Sequence, residues 1–140
     1  MISPTCQYAI RALVFLGRAK NDSPVLARDI AEAEEIPHPF LSKILQTLAQ
    51  HGLVRSQKGP GGGFTLGRPA GQITTRDIIT AIDGVPRPDK LCLLGRSECN
   101  SMVACSLHDS WSKIRARFDE TIGAQTIREL AAHKSSEQPE

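Results

Sequence analysis

Residues 53–66 constrain the fold of this chain more than any other segment, because two strand-like stretches there flank a run of glycines. The stretches are Leu53–Ser56 and Phe64–Leu66, and Gly59–Gly63 lies between them with a proline at its second position. Glycine and proline at this density are typical of a turn, so the two stretches are predicted to pair as a β-hairpin. A nucleotide phosphate loop is disfavoured, because such a loop opens a helix and a strand follows here.

Three helices are predicted before the hairpin, from apolar residues that recur at steps of three and four. The first covers about residues 5–19, with Ser3 and Pro4 as its cap and first turn. The second covers about residues 26–34, and the third covers His38–Gln50 after a break at Pro37. The second helix is predicted to bury Leu26, Ile30 and Ala33, and the third to bury Leu41, Ile44, Leu45 and Leu48. Two helices joined by a short turn and followed by a hairpin form a winged helix-turn-helix.

The segment after the hairpin is predicted to form a helix, a loop and two further helices. The helix covers residues 75–83, and the loop that follows, to about residue 105, shows no sustained period. A long helix then begins near Cys105 or Ser106 and ends at Gly123, and a capping box at Thr126 starts a short helix that ends near Ala132. The long helix has an apolar stripe at steps of four and three, formed by Leu107, Trp111, Ile114, Phe118 and Ile122.

The predicted fold class is therefore mainly α with a small β-hairpin. A winged helix-turn-helix domain is expected in residues 1–83, a cysteine-bearing loop in residues 84–105, and a long helix with a C-terminal helix in residues 106–133. A polar, disordered tail is expected in residues 134–140. No apolar run approaches the roughly 18 residues of a membrane span, and the N-terminus lacks a signal peptide's apolar block. A cytoplasmic protein without membrane contact is therefore expected.

Acidic residues are distributed unevenly along the chain. The sequence contains 15 of them, yet none lies between Ile36 and Arg76, a stretch that includes Lys43, Arg55 and Lys58. A long acid-free and basic stretch is typical of a surface that faces a polyanion, and a phosphate backbone is the common case.

The third predicted helix and the hairpin carry the candidate DNA-binding residues. The helix face opposite the apolar stripe holds Ser42, Lys43, Gln46, Thr47 and Gln50, none of which is acidic. Such side chains reach base edges in a major groove. Arg55 and Lys58 flank the wing tip, and Gly61 and Gly62 would let the hairpin approach a duplex closely. A merely solvated face is the alternative, but the coincidence of face, acid-free stretch and basic wing favours binding to double-stranded DNA.

Three of the four cysteines fall in one short window. Its spacing is Cys92-x6-Cys99-x5-Cys105-x2-His108, which contains none of the close cysteine pairs of structural zinc sites. An iron–sulfur cluster, a zinc ion, a redox thiol switch and inert cysteines all remain open, and the wide gaps favour the cluster. Cys6 stands apart on the apolar face of the first helix, where a core role is expected.

Several motifs together resemble one known family. They are QYAIRAL at residues 7–13, KGPGGGFTL at residues 58–66, the three spaced cysteines before His108 and Trp111, and TIREL at residues 126–130. Over about residues 1–133 the chain is similar to the Rrf-type family of winged-helix transcriptional regulators, the IscR- and NsrR-like iron–sulfur sensors.

The resemblance implies a homodimer that pairs through the long helix, and a cluster held by Cys92, Cys99 and Cys105. The Cys-x2-His ending resembles the type in which a histidine, here His108, completes a 2Fe–2S site, so 2Fe–2S is favoured over 4Fe–4S. Gln7 stands where nitric-oxide-sensing members can carry an acidic ligand. Ser42 and Lys43 stand where IscR-like members can carry an acidic base reader, so the operator sequence does not transfer.

The leading hypothesis is a dimeric DNA-binding transcriptional regulator, a repressor rather than an activator. It would sense iron, redox state or nitric oxide through an iron–sulfur cluster. The alternative is a thiol- or zinc-based redox sensor on the same winged scaffold. No nucleophile–base pair or carboxylate pair stands out in the sequence, so an enzyme is not predicted.

Overall fold

The computed structural model describes residues 2–19, 23–84 and 106–133. Its elements in chain order are α1 (Pro4–Arg18), α2 (Ala27–Glu34), α3 (His38–Gln50), β1 (Val54–Gln57), β2 (Gly63–Leu66), a 3-10 turn (Ala70–Gln72), α4 (Thr75–Asp83), α5 (His108–Glu120) and α6 (Ile127–Ala132). The prediction of a mainly α fold with a small hairpin is confirmed. The bounds of α3 and α4 match the predicted ones, because caps or prolines mark their starts.

Helix α1 lies at the centre of the core. Its buried side chains recur at helical spacing: Cys6, Ala9, Ala12, Leu13 and Leu16. Ser3 caps the helix by accepting a hydrogen bond from the amide of Cys6 at 3.1 Å, and its hydroxyl donates to Asp83 at the end of α4. Helices α2, α3, α4 and α6 and strand β2 all pack against α1. The predicted core position of Cys6 is confirmed, since its side chain is fully buried.

The prediction for the buried face of α2 is partly wrong. Leu26 is 44% exposed and Ala33 is also exposed, whereas Ile30 and Ala31 are buried. The helix begins at Ala27, so Leu26 is only its cap residue and lies outside the helical register. The chain then leaves α2 through Glu35, whose φ of 54° turns it towards α3.

Strands β1 and β2 form the wing, an antiparallel hairpin in which Val54 pairs with Leu66 and Arg55 pairs with Thr65. Val25 extends this sheet through two hydrogen bonds with Phe64, of 2.9 and 2.8 Å. No local pattern in the sequence indicates this third partner. Gly63 allows it, because its φ is +141° and a Cβ there would lie 2.5 Å from the carbonyl oxygen of Val25.

The C-terminal helices differ from the prediction at both ends of α5. The helix begins at His108 rather than near Cys105 or Ser106, so Leu107 is only its cap residue. Helix α5 ends at Glu120 rather than at residue 123, because the chain turns sharply over residues 121–124. This turn allows two long-range backbone hydrogen bonds. The amide of Thr75 donates to the carbonyl of Gln125 at 2.8 Å, and the amide of Ile127 donates to the carbonyl of Ile73 at 2.9 Å. Ile127 is fully buried, so α6 belongs to the same core as α1.

Most of the predicted loop, residues 85–105, and the predicted tail, residues 134–140, lie outside the described residues. Among the helices that the model does describe, none has the length and apolar character to cross a membrane.

Candidate nucleic-acid interface and cysteine site

Helix α3 separates its two faces cleanly. All four predicted core residues, Leu41, Ile44, Leu45 and Leu48, are at most 3% exposed. On the other side Lys43, Gln46 and Gln50 are exposed, while Ser42 and Thr47 are half-buried. The helix contains no acidic residue, so its exposed face presents only donors, amides and one positive charge. This is the chemistry that base edges and phosphates accept.

One of these side chains, Thr47, is already engaged within the helix. The hydroxyl of Thr47 donates to the carbonyl of Lys43 at 3.2 Å, and Nδ1 of His51 lies 2.9 Å from the carbonyl of Thr47. Thr47 therefore retains only acceptor capacity for an outside partner. Gln46 and Gln50 keep both the donor and the acceptor of their amides available.

The predicted DNA-binding residues of the wing differ in their exposure. Arg55 and Lys58 are exposed, and Arg55 lies on the sheet face opposite the buried Val54. Gly61 is exposed at the tip with a φ of +73°. Gly62 is buried instead, and a Cβ there would lie 2.4 Å from the carbonyl oxygen of Gln57. The geometry gives Gly62 a role inside the turn, so the need for glycine at this position does not depend on DNA.

One exposed aromatic residue beside this face was missed by the sequence analysis. Phe40 in the first turn of α3 is 46% exposed, and its ring meets that of Tyr8 edge to face at 5.9 Å. Together with Lys43 and Thr47 it borders a recess of about 190 Å³ between α1, α3 and α4. The sequence feature that could have identified Phe40 is its position, since it is an aromatic residue on α3 outside the apolar stripe.

The predicted metal ligands Cys92, Cys99 and Cys105 lie outside the described residues, so only His108 can be placed. His108 is the first residue of α5 and is half-buried. Among residues 2–19, 23–84 and 106–133 there is no group of three or more metal-ligating side chains. Burial, and secondly the charge of Asp83, raises the pKa of the Cys6 thiol to about 12, so this cysteine is a poor metal ligand.

The predicted apolar stripe of α5 is left largely uncovered. Leu107 is 38% exposed, Ile114 55% and Ile122 43%, and Trp111 and Phe118 are half-buried. The far end of α5 is linked to α4, where Arg76 Nε donates to Asp119 Oδ1 at 2.5 Å and Arg76 Nη2 donates to the Asp119 carbonyl at 2.8 Å. The hydrogen bond to the side chain of Asp119 raises the pKa of Arg76 above its usual value.

Solved structures share this architecture over nearly the whole chain. CymR, the global cysteine regulator of B. subtilis, superimposes with a TM-score of 0.80 at 24% identity, covering 96% of this chain and 98% of that chain. IscR of T. potens superimposes with a TM-score of 0.75 at 23% identity, covering 100% of this chain and 93% of that chain. The winged-helix fold is thereby confirmed.

Relatives found by sequence share a higher identity with this chain than these structures do. IscR of Xenorhabdus nematophila, a helix-turn-helix-type transcriptional regulator, is 30% identical over 128 residues, which cover 91% of this chain and 77% of that protein. The family model of Rrf2, described as an iron-dependent transcriptional regulator, matches residues 2–133. The prediction of a regulator rather than an enzyme is confirmed, and the chain belongs to the Rrf2 family of transcriptional regulators.

Proposed function

We propose that the protein is a dimeric repressor that binds operator DNA through α3 and the wing. The observation that carries the proposal is the exposed, acid-free face of α3 beside Arg55 and Lys58. On this face Lys43, Gln46 and Gln50 point away from the core. In a winged helix the recognition helix enters the major groove and the basic wing contacts the backbone or the minor groove.

Duplex binding at varied salt tests this assignment. Replacing Lys58 by Ala should lower the slope of log affinity against log salt by about 0.9, because one phosphate contact disappears. Lys113→Ala removes the same charge from the exposed side of α5 and should leave the slope unchanged. Gln46→Ala should instead change the selected base at one operator position, at about 1–3 kcal/mol. Wild-type binding that is absent, or insensitive to salt, contradicts the assignment.

We further propose that Cys92, Cys99, Cys105 and His108 hold an iron–sulfur cluster, with 2Fe–2S favoured. The donor set fits, because thiolates and imidazole are the ligands such clusters accept. His108 supports the site by its position, since it begins α5 three residues after Cys105. When bound, the cluster would supply sensitivity to iron, oxidants or nitric oxide.

Anaerobic purification with iron and acid-labile sulfide analysis tests the cluster. Alanine at Cys92, Cys99 or Cys105 should each abolish the visible absorption, and alanine at His108 should shift it. Cys6→Ala is the matched control and should retain the cluster, because Cys6 is buried in the core. Colourless wild-type protein, even after reconstitution, rejects the cluster.

The proposed dimer forms through the apolar stripe of α5. The exposed Leu107, Ile114 and Ile122 support this, because a second copy would remove them from water. A displacement of α5 would reach α4 through the Arg76–Asp119 pair, and α4 packs against α3. The state of the cysteine loop would in this way change the separation of the two α3 helices in the dimer.

The second candidate is a thiol- or zinc-based sensor on the same scaffold. The similarity to CymR favours it, because one of the solved structures of Staphylococcus aureus CymR is described as an oxidised form. Zinc found by elemental analysis, or a disulfide within Cys92–Cys105 found by mass spectrometry, selects this candidate over the cluster.

A further inference from the structure

A second basic feature lies at the outer face of the wing, and it shares Arg55 with the candidate DNA-binding residues. It is a groove of about 720 Å³ between the outer face of the hairpin, the C-terminal turn of α1 and the start of α6. Three arginines from separate parts of the chain line it: Arg55, Arg68 and Arg128.

Each arginine is placed by a different contact. Arg55 lies on β1 opposite Thr65, which also lines the groove. Arg68 follows β2, and its Nη2 lies 3.5 Å from the carbonyl of His51 at the end of α3. The guanidinium carbon of Arg128 lies over Gly71, only 2.9 Å from where a Cβ on that residue would be. The absence of a side chain at Gly71 therefore leaves room for the Arg128 head group.

The positive charge of this groove is not neutralised by the described part of the protein. No aspartate or glutamate is among its described lining residues. Arg11, Arg28 and Arg76 form ion pairs with carboxylates, but Arg55, Arg68 and Arg128 have no such partner among the described residues. The groove therefore carries three positive charges, which would attract a bound anion.

We propose that this groove is a phosphate-binding site in which Arg55, Arg68 and Arg128 hold the anion. Guanidinium groups bind phosphate through paired, charge-assisted hydrogen bonds, which is why arginine suits this ligand. Leu16, Leu66 and Pro69 add apolar walls, so the site accepts a phosphate on a larger molecule. The phosphate would come from a free phosphorylated compound or from the backbone of a bound duplex. The proposal goes beyond the proposed DNA face, because it rests on Arg68 and Arg128.

Titration of the full chain with inorganic phosphate, followed by NMR, tests the site without DNA. Saturable shifts should appear at residues around Gly71, and Arg128→Gln should weaken phosphate binding by about tenfold. Arg28→Gln is the matched control, since Arg28 is an exposed arginine on α2 and does not line the groove. It should bind phosphate as the wild type does.

Gly71→Ala tests the geometry without removing a charge. The added methyl group would displace the flexible head of Arg128, so the fold should persist while phosphate binding weakens. Unchanged thermal unfolding together with reduced binding supports the arrangement. Unchanged binding by both Gly71→Ala and Arg128→Gln overturns it.

A duplex experiment separates the two phosphate sources. If the backbone occupies the groove, Arg128→Gln lowers the salt slope of duplex binding by about 0.9 per lost contact. If a free compound occupies it, the slope stays unchanged while inorganic phosphate still saturates the site. No saturable phosphate binding together with an unchanged slope overturns the proposal. Wild-type protein that binds phosphate but no duplex retains the groove and rejects only the proposed DNA function.

Discussion

Helices α3 and α5 each have 13 residues and an apolar stripe at helical spacing, yet they lie in opposite environments. The stripe of α3 is at most 3% exposed, whereas α5 has no buried residue and Ile114 is 55% exposed. Helix α3 is surrounded by α1, α2, α4 and β1, all of which pack against it. An amphipathic pattern therefore predicts that an apolar face exists, but not that the same chain covers it.

Truncating an apolar side chain to alanine should have the largest effect, and the loss of stability should behave differently at α3 and at α5. Leu45→Ala should lower the free energy of unfolding by about 3 kcal/mol, because Leu45 is fully buried and its removal leaves a cavity. Leu107→Ala is the same change at the cap residue of α5. Its cost should grow with protein concentration, since only a second copy would cover Leu107. Denaturant unfolding at several concentrations measures both, and equal, concentration-independent losses would show that α5 is covered by its own chain.

A charge on the α5 stripe should have the next largest effect. Ile114→Glu places a carboxylate on the proposed dimer face, so the dissociation constant of the dimer should rise by about thirtyfold. Sedimentation equilibrium measures this change. Glu120→Gln, on the same helix but outside the stripe, serves as the control and should leave the dimer intact. A wild-type protein that is monomeric at high concentration contradicts the dimer outright.

The titration of Cys6 probes the enclosed side of the comparison, and between pH 9 and pH 10 it should have the smallest effect, about 1 kcal/mol. The pKa of Cys6 is about 12 in the folded protein and lies near 9.0 when the thiol is unperturbed. The folded state therefore keeps a proton that the unfolded state loses, so stability falls as pH rises from 9.0 towards 12. The expected slope is about 1.4 kcal/mol per pH unit relative to Cys6→Ala. Parallel pH profiles for the two proteins would show that Cys6 ionises freely.

The sequence predicted the elements whose signals are local. The stripe of α3, the capping residues Ser3 and Thr126 and the glycine-rich turn each depend on residues a few positions apart, and all are found where expected. Leu26 shows the limit of this reasoning, because its burial depended on a helix start that shifted by one residue. The candidate DNA face was predictable for the same reason as α3, since it is the opposite side of one helix.

Long-range pairings were not predictable in this way. The bridge between Val25 and Phe64, the ion pair between Arg76 and Asp119, and the return of α6 to α1 join residues far apart in the chain. No local period encodes such contacts, because they depend on how the helices pack. The arginine groove has the same origin, since Arg55, Arg68 and Arg128 line one groove only after α6 has packed against the core.

The amino-acid sequence by itself determined the helices, the wing and the chemical character of the exposed α3 face, because periodicity, caps and turns act within a few residues. Only the tertiary structure decided which apolar faces are enclosed and which cations are left without carboxylate partners. The physical reason is that burial and charge neutralisation depend on neighbours in space, and the chain order of residues does not specify those neighbours.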